Sequence, residues 1–148
     1  MTVRSELFAA DHPGALARAD ARDAGRAPDA GQPAVDLLGV DALDVEQLGT
    51  VAARAVQFGT GELELQEVDL DHESLVELPA FLCEVLVELG RAEDLALPGE
   101  VAAEWAADDD ITLTAAAALP LVSSIIALAT AAAAAGTAVY LWAGSEQA

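Results

Sequence analysis

From Ile111 to Ser145 the chain holds 35 residues without a single charge. The remaining residues carry 26 acids against six arginines and no lysine. A run that long has two physical solutions. It crosses a bilayer as a helix, or it is buried inside the protein and brings the fold with it. Leu119 to Trp142 is long enough to span, and Tyr140 with Trp142 can be read as an interfacial aromatic pair. Three features favour burial in the protein. Thirteen of the 35 residues are alanine, which removes little apolar area from water, and Thr112, Thr114, Ser123, Ser124, Thr130 and Thr137 dilute the stretch further. Gly136 followed by the β-prone Thr137-Ala138-Val139-Tyr140-Leu141-Trp142 reads as a helix stop and then a strand. No basic residue follows Arg91, so neither flank offers the cation that orients a span. The expectation is a helix over 115–135 and a closing strand, both under a sheet; a tail anchor through 119–142 is the alternative.

The charge is unevenly distributed. Residues 1–26 balance four acids with four arginines, so residues 27–148 carry the whole formal charge of −20. A field of that sign repels phosphates and anionic lipid, which argues against direct nucleic-acid binding and favours solubility or a basic partner. The single cysteine, Cys83, rules out an intrachain disulfide framework and a multi-cysteine zinc site. In the apolar run Phe81-Leu82-Cys83-Glu84-Val85-Leu86 it is expected to be a buried structural thiol. Met1-Thr2-Val3-Arg4-Ser5-Glu6 lacks the apolar core of a secretory signal, so the cytoplasm is the expected compartment.

At this length one domain over 1–148 is expected. Residues 3–9 read as a first strand. Residues 10–33, rich in glycine and proline, read as a flexible region with room for a short helix near 14–22. Ala34 to Leu38 suits a short strand. Asp44 with Gln47 resembles a capping box opening a helix whose Leu48, Val51, Ala52, Ala55 and Val56 share one face. Glu62-Leu63-Glu64-Leu65 alternates as a half-buried strand should. The turn Asp69-Leu70-Asp71-His72 then leads into a returning strand over 74–78. Pro79 suits the first position of a helix ending near Leu89, and Pro98 opens another through Trp105. The predicted class is α+β: a small antiparallel or mixed sheet packed with three to four helices as a single pair of layers.

Catalytic chemistry has little to stand on. Read as a calcium loop from Asp69, the cluster Glu67-Val68-Asp69-Leu70-Asp71-His72-Glu73 has acids at positions one, three and five. It then fails at position six, where Ser74 replaces glycine, and at position twelve, where Ala80 replaces glutamate. A turn with solvated carboxylates is the simpler reading. Asp108-Asp109-Asp110 cannot converge on one ion and reads as a linker that can cap the next helix. Gly59-Thr60-Gly61 follows a helix, precedes a strand and lacks the third glycine of a dinucleotide loop. There is no nucleophile elbow, and the absence of lysine removes the usual phosphate loop. His12 and His72 sit among turn residues and read as solvated. No catalytic residue, cofactor or metal is therefore expected.

The stretches Thr2-Val3-Arg4-Ser5-Glu6-Leu7-Phe8-Ala9 and Val139-Tyr140-Leu141-Trp142, with Leu78-Pro79 and Val101-Ala102-Ala103-Glu104-Trp105-Ala106 between them, carry a likeness. On these residues the chain resembles a family of small uncharacterised actinobacterial proteins with an opening Val-Arg-Ser-Glu-x-Phe-Ala-like strand and a closing Leu-Tyr-x-Trp-like strand. The resemblance implies a compact soluble α+β domain with Trp105 and Trp142 in or at the edge of the core, and it implies no activity. Family members carry arginines on the helix before the last strand; here Ser123 to Ala135 has none. The expected role is a small acidic, non-enzymatic interaction or accessory protein of the cytoplasm. Its contact surface would include Ser123, Ser124, Ala127, Thr130, Ala131 and Ala134, and its partner would be a second copy or another protein. An acidic mimic occupying a basic, nucleic-acid-binding protein is a further alternative.

Overall fold

In a computed structural model the two ends of the chain meet in the middle of one sheet. Residues 2–28, 31–37, 39–57, 59–109, 111 and 113–146 are described. Strand β1 (Thr2–Ala10) pairs antiparallel with β5 (Ala138–Glu146) along its whole length, placing Glu6 opposite Trp142, Leu7 opposite Leu141 and Phe8 opposite Tyr140. Three short strands, β2 (Ala34–Asp36), β3 (Gln66–Glu67) and β4 (Leu75–Glu77), complete an antiparallel sheet of order β2-β1-β5-β4-β3. Five helices join it: α1 (His12–Asp23), α2 (Ala42–Val56), α3 (Ala80–Gly90), α4 (Leu97–Ala106) and α5 (Ala115–Ala135). The class is α+β, as predicted.

Alternation along the central strands divides the interior in two. Leu7, Ala9, Val139 and Leu141 point toward α2–α5 and join the larger core, which includes Leu48, Leu82, Val85, Leu86, Trp105 and Ile125. Phe8, Ala10, Tyr140 and Trp142 point the other way and form a smaller core with Leu75 and with Ala15 and Ala19 of α1. Phe8 and Tyr140 stack at 5.8 Å between ring centres. Helices therefore cover both faces, where one pair of layers with three to four helices was expected.

The uncharged stretch splits as its composition predicts. Thr114 caps α5 by accepting a hydrogen bond from the Ala117 amide at 3.1 Å. The helix ends at Gly136, whose left-handed φ of 71° suits a residue without Cβ. Residues 119–142 are thus a helix to Ala135 followed by the central strand β5. By length and composition alone α5 could cross a membrane. Of its large side chains, Leu119 is exposed and Ile126 half-buried, while Leu121, Val122, Ile125 and Leu128 are nevertheless buried inside the protein. Burying each is worth roughly 1.5–3 kcal/mol relative to leaving it in water.

Several boundaries differ from the sequence reading, each for a local reason. The cap of α2 is Asp41, and the box closes with Asp44: Asp41 accepts from the Asp44 amide and Asp44 accepts from the Asp41 amide. A second acid served at the third position where glutamine was expected. Residues 62–65 are not in the sheet. The Leu65 amide donates instead to the Glu46 carboxylate of α2 at 2.8 Å, and pairing begins only at Gln66. The short helix read near 14–22 is α1 and starts two residues earlier: Ala10 ends β1, Asp11 caps α1 by accepting from the Gly14 amide, and α1 runs to Asp23. Pro79 sits at the cap of α3, one position before the predicted place. Thr114, rather than the aspartates at 108–110, caps α5; Asp110 lies outside the described residues, as does Leu38 at the end of the predicted 34–38 strand.

Candidate interaction surface

A helix that turns most of its large residues inward shows mainly small ones outward. Along α5, Ala118, Leu121, Val122, Ile125, Leu128, Ala129 and Ala132 are buried. Ser123, Ser124, Ala127, Thr130, Ala131 and Ala134 are all exposed. Their spacing places them on one side of a 3.6-residue helix, so the six predicted surface residues form one continuous face. The Thr130 hydroxyl donates back to the Ile126 carbonyl at 2.8 Å. Leu119, 43% exposed, is the largest side chain at the N-terminal end of this face. No charge lies on it, although the protein around it carries −20.

The face is a ridge between two depressions. On one flank, Ala117, Pro120, Leu121 and Ser124 border a shallow cavity of about 310 Å³ against Ala34–Asp36 of β2. On the other, α3 and α5 form a half-open groove of about 540 Å³ that sequence reasoning did not anticipate. Gly90, at the end of α3, lets the two helices approach; a Cβ there would lie 2.6 Å from the Ile126 Cγ2. Beyond that contact, Cys83 and Val87 of α3 face Ala129, Ala132 and Ala133 across the groove. Burial, and secondarily Glu77, pushes the Cys83 thiol up to about 11, so it is protonated at neutral pH and serves as an apolar surface.

The densest polar chemistry lies on the opposite side of the sheet. Glu6, 2% exposed, receives the Arg18 guanidinium on Oε2 at 2.5 Å and that of Arg22 on Oε1 at 2.7 Å. Arg18, itself 5% exposed, also donates to Gln32 and lies 4.9 Å from the centre of the Phe8 ring. Both carboxylate oxygens are committed to guanidinium groups, so Glu6 is a clamp between α1 and the sheet. At the C-terminal half of α1, Asp23 accepts from the Trp142 indole and the Ser74 hydroxyl, each at 2.9 Å. His72 is not the solvated loop residue expected from sequence. Its Nε2 lies 2.8 Å from Asp20, its Nδ1 3.7 Å from Asp69, and its side chain is 14% exposed. The hydrogen bond to Asp20 raises its pKa above 6.5, burial opposes this, and Asp20, Asp69 and Asp23 add attraction. Among the described residues no three or more His, Cys, Asp or Glu side chains are arranged to hold a metal ion.

No protein-family model, curated protein or solved structure matches the chain.

Proposed function

We propose that the protein is a small acidic interaction or accessory protein of the cytoplasm, without an enzymatic activity of its own, and that it meets its partner through the outward face of α5. The observation that carries this reading is the composition of that face. Apart from Leu119 and Pro120 near its start, a 21-residue helix shows alanine, serine and threonine to the outside, uncharged, in a chain of net charge −20. A solvated helix ordinarily carries charge on its outer side. An uncharged surface of small side chains allows another backbone to approach closely and desolvates at little cost. The non-enzymatic part of the reading is supported by the condition of the reactive groups. The Glu6 carboxylate is held by two guanidinium groups, the Cys83 thiol is raised, and the His72 Nε2 is hydrogen-bonded to Asp20. The burial of most of the large side chains of α5, and the position of β5 in the centre of the sheet, favour this reading over a tail anchor.

The test is site-specific photo-crosslinking in cells from position 127 or 130, with position 73 on the acidic turn as the control. Discrete adducts of defined mass are expected from the α5 positions and not from the turn. Light scattering of detergent-free protein then identifies the partner class: a dimer dissociated by Ala127→Glu is a second copy, and a monomer means a different protein. Absence of adducts from both α5 positions, or sedimentation of the protein with membranes, overturns the reading.

A further inference from the structure

The groove beside the α5 ridge has two unlike walls. The α5 side is neutral, made of Ala129, Ala132 and Ala133. The α3 side carries Glu77, Glu84 and Glu88 above the apolar surface of Cys83 and Val87, with Arg91 at its far end, 3.6 Å from Glu88. Residues 80 to 91 border the groove, so it follows α3 for about 16 Å, the rise of eleven helical residues. We propose that this groove receives an amphipathic helix of a partner protein, its apolar stripe on Cys83, Val87 and Ala132 and its lysines or arginines against Glu84 and Glu88. The proposal rests on the reading of the chain as an interaction protein and adds the chemistry of the partner.

Three observations select that occupant. The groove is lined along α3 from Ala80 to Arg91 and offers Cys83, Val87 and Ala132 as apolar surface, on which a helix can be laid lengthwise. Glu84 and Glu88 stand one turn apart on α3, a like-charged pair that disfavours the helix until a cation is set beside it. On a partner helix the matching cations fall four residues apart, along one flank of an apolar stripe that repeats with the same helical spacing. A second copy of this chain is poorly suited to supply them. It has no lysine, its arginines four residues apart on one helix, Arg18 and Arg22, are committed to Glu6, and it brings 26 acids of its own.

The probe is a fluorescent helical peptide of about 18 residues built from leucine, alanine and lysine, with the leucines on one stripe and the lysines along one flank. A matched peptide carries glutamate in place of lysine. Fluorescence anisotropy should show binding of the lysine peptide and none of the glutamate peptide. The double variant Glu84→Gln, Glu88→Gln should weaken binding about fivefold and flatten its salt dependence. The same neutralisation on the remote turn, Asp71→Asn with Glu73→Gln, should leave binding within about twofold of wild type. Ala133→Phe fills the groove without changing charge and should weaken binding about tenfold or more. Bound peptide should also shield Cys83 from maleimide in the wild-type protein, a readout independent of whether the groove-filling variant folds.

Equal binding by wild type and the folded Ala133→Phe protein would reduce the attraction to a diffuse Coulombic one and overturn the proposal. So would equal binding of the glutamate peptide, unprotected Cys83 at saturating peptide, or uptake of dodecyltrimethylammonium with no uptake of peptide. Discrete adducts from position 127 alongside any of these results would remove the groove and leave the α5 face standing. Loss of the adducts with peptide binding intact would do the reverse.

Discussion

At the scale of single residues, the molecule concentrates its electrostatic stabilisation in one place. Glu6 holds Arg18 and Arg22 where water is largely excluded. Removing one partner of such a cluster strands the other charges, so Glu6→Ala should destabilise the protein by about 3–5 kcal/mol, read as a fall in the urea midpoint. A loss below about 1 kcal/mol would mean that the guanidinium groups reach solvent when the carboxylate is gone. His72 gives a pH signature. Its folded pKa lies above the ordinary 6.5, chiefly through Asp20. The folded state therefore holds this proton more tightly than the unfolded chain. The resulting stability is fully present below 6.5 and is lost as pH rises through the raised folded value. Unfolding measured across neutral pH should show stability falling as pH rises, and His72→Gln should flatten that slope. An unchanged slope in the variant would assign the effect to another group.

Secondary-structure elements were legible in sequence where one periodicity had no competitor. The helix of 115–135 and the strand after Gly136 follow from an uncharged run, a left-handed glycine and a β-prone hexapeptide, and the structure has α5 and β5 there. Glu62 to Leu65 failed for an instructive reason. Its alternation is genuine, but a long-range carboxylate, Glu46, accepts the Leu65 amide and draws the segment toward α2. Alternation states which side chains are apolar without stating what the backbone pairs with. The helix α1 was legible only as a short helix near 14–22 inside a stretch rich in glycine and proline, and its start at His12 was missed. It is fixed by a cap at Asp11 and by tertiary contacts of Arg18, Asp20, Arg22 and Asp23 that no local window contains. The six α5 surface positions were readable because an uncharged amphipathic helix can be phased from its large residues alone. The groove beside them was not, because it depends on the pairing of α3 with α5, with Gly90 against Ile126.

Taken whole, the protein keeps a largely apolar interior, with the Glu6 clamp as a buried charged cluster, inside a strongly negative surface. Its described exposed ion pairs, Arg54 with Glu104 at 3.9 Å and Arg91 with Glu88 at 3.6 Å, are of a kind worth about 0–1 kcal/mol each. They cannot offset the mutual repulsion of the remaining carboxylates, so the compact state is strained by its own charge. Screening acts over about 10 Å at 0.1 M salt and acts far less on the buried Glu6 clamp. Sodium chloride should therefore raise the melting temperature by on the order of 5 °C between about 10 mM and 500 mM, the equivalent of roughly 1–2 kcal/mol for a chain of this size. Because the clamp is insulated, Glu6→Ala should lower the whole curve without altering its dependence on salt. A melting temperature indifferent to salt would show that the surface acids are already compensated, and would remove the charge imbalance as the reason a basic partner is favoured.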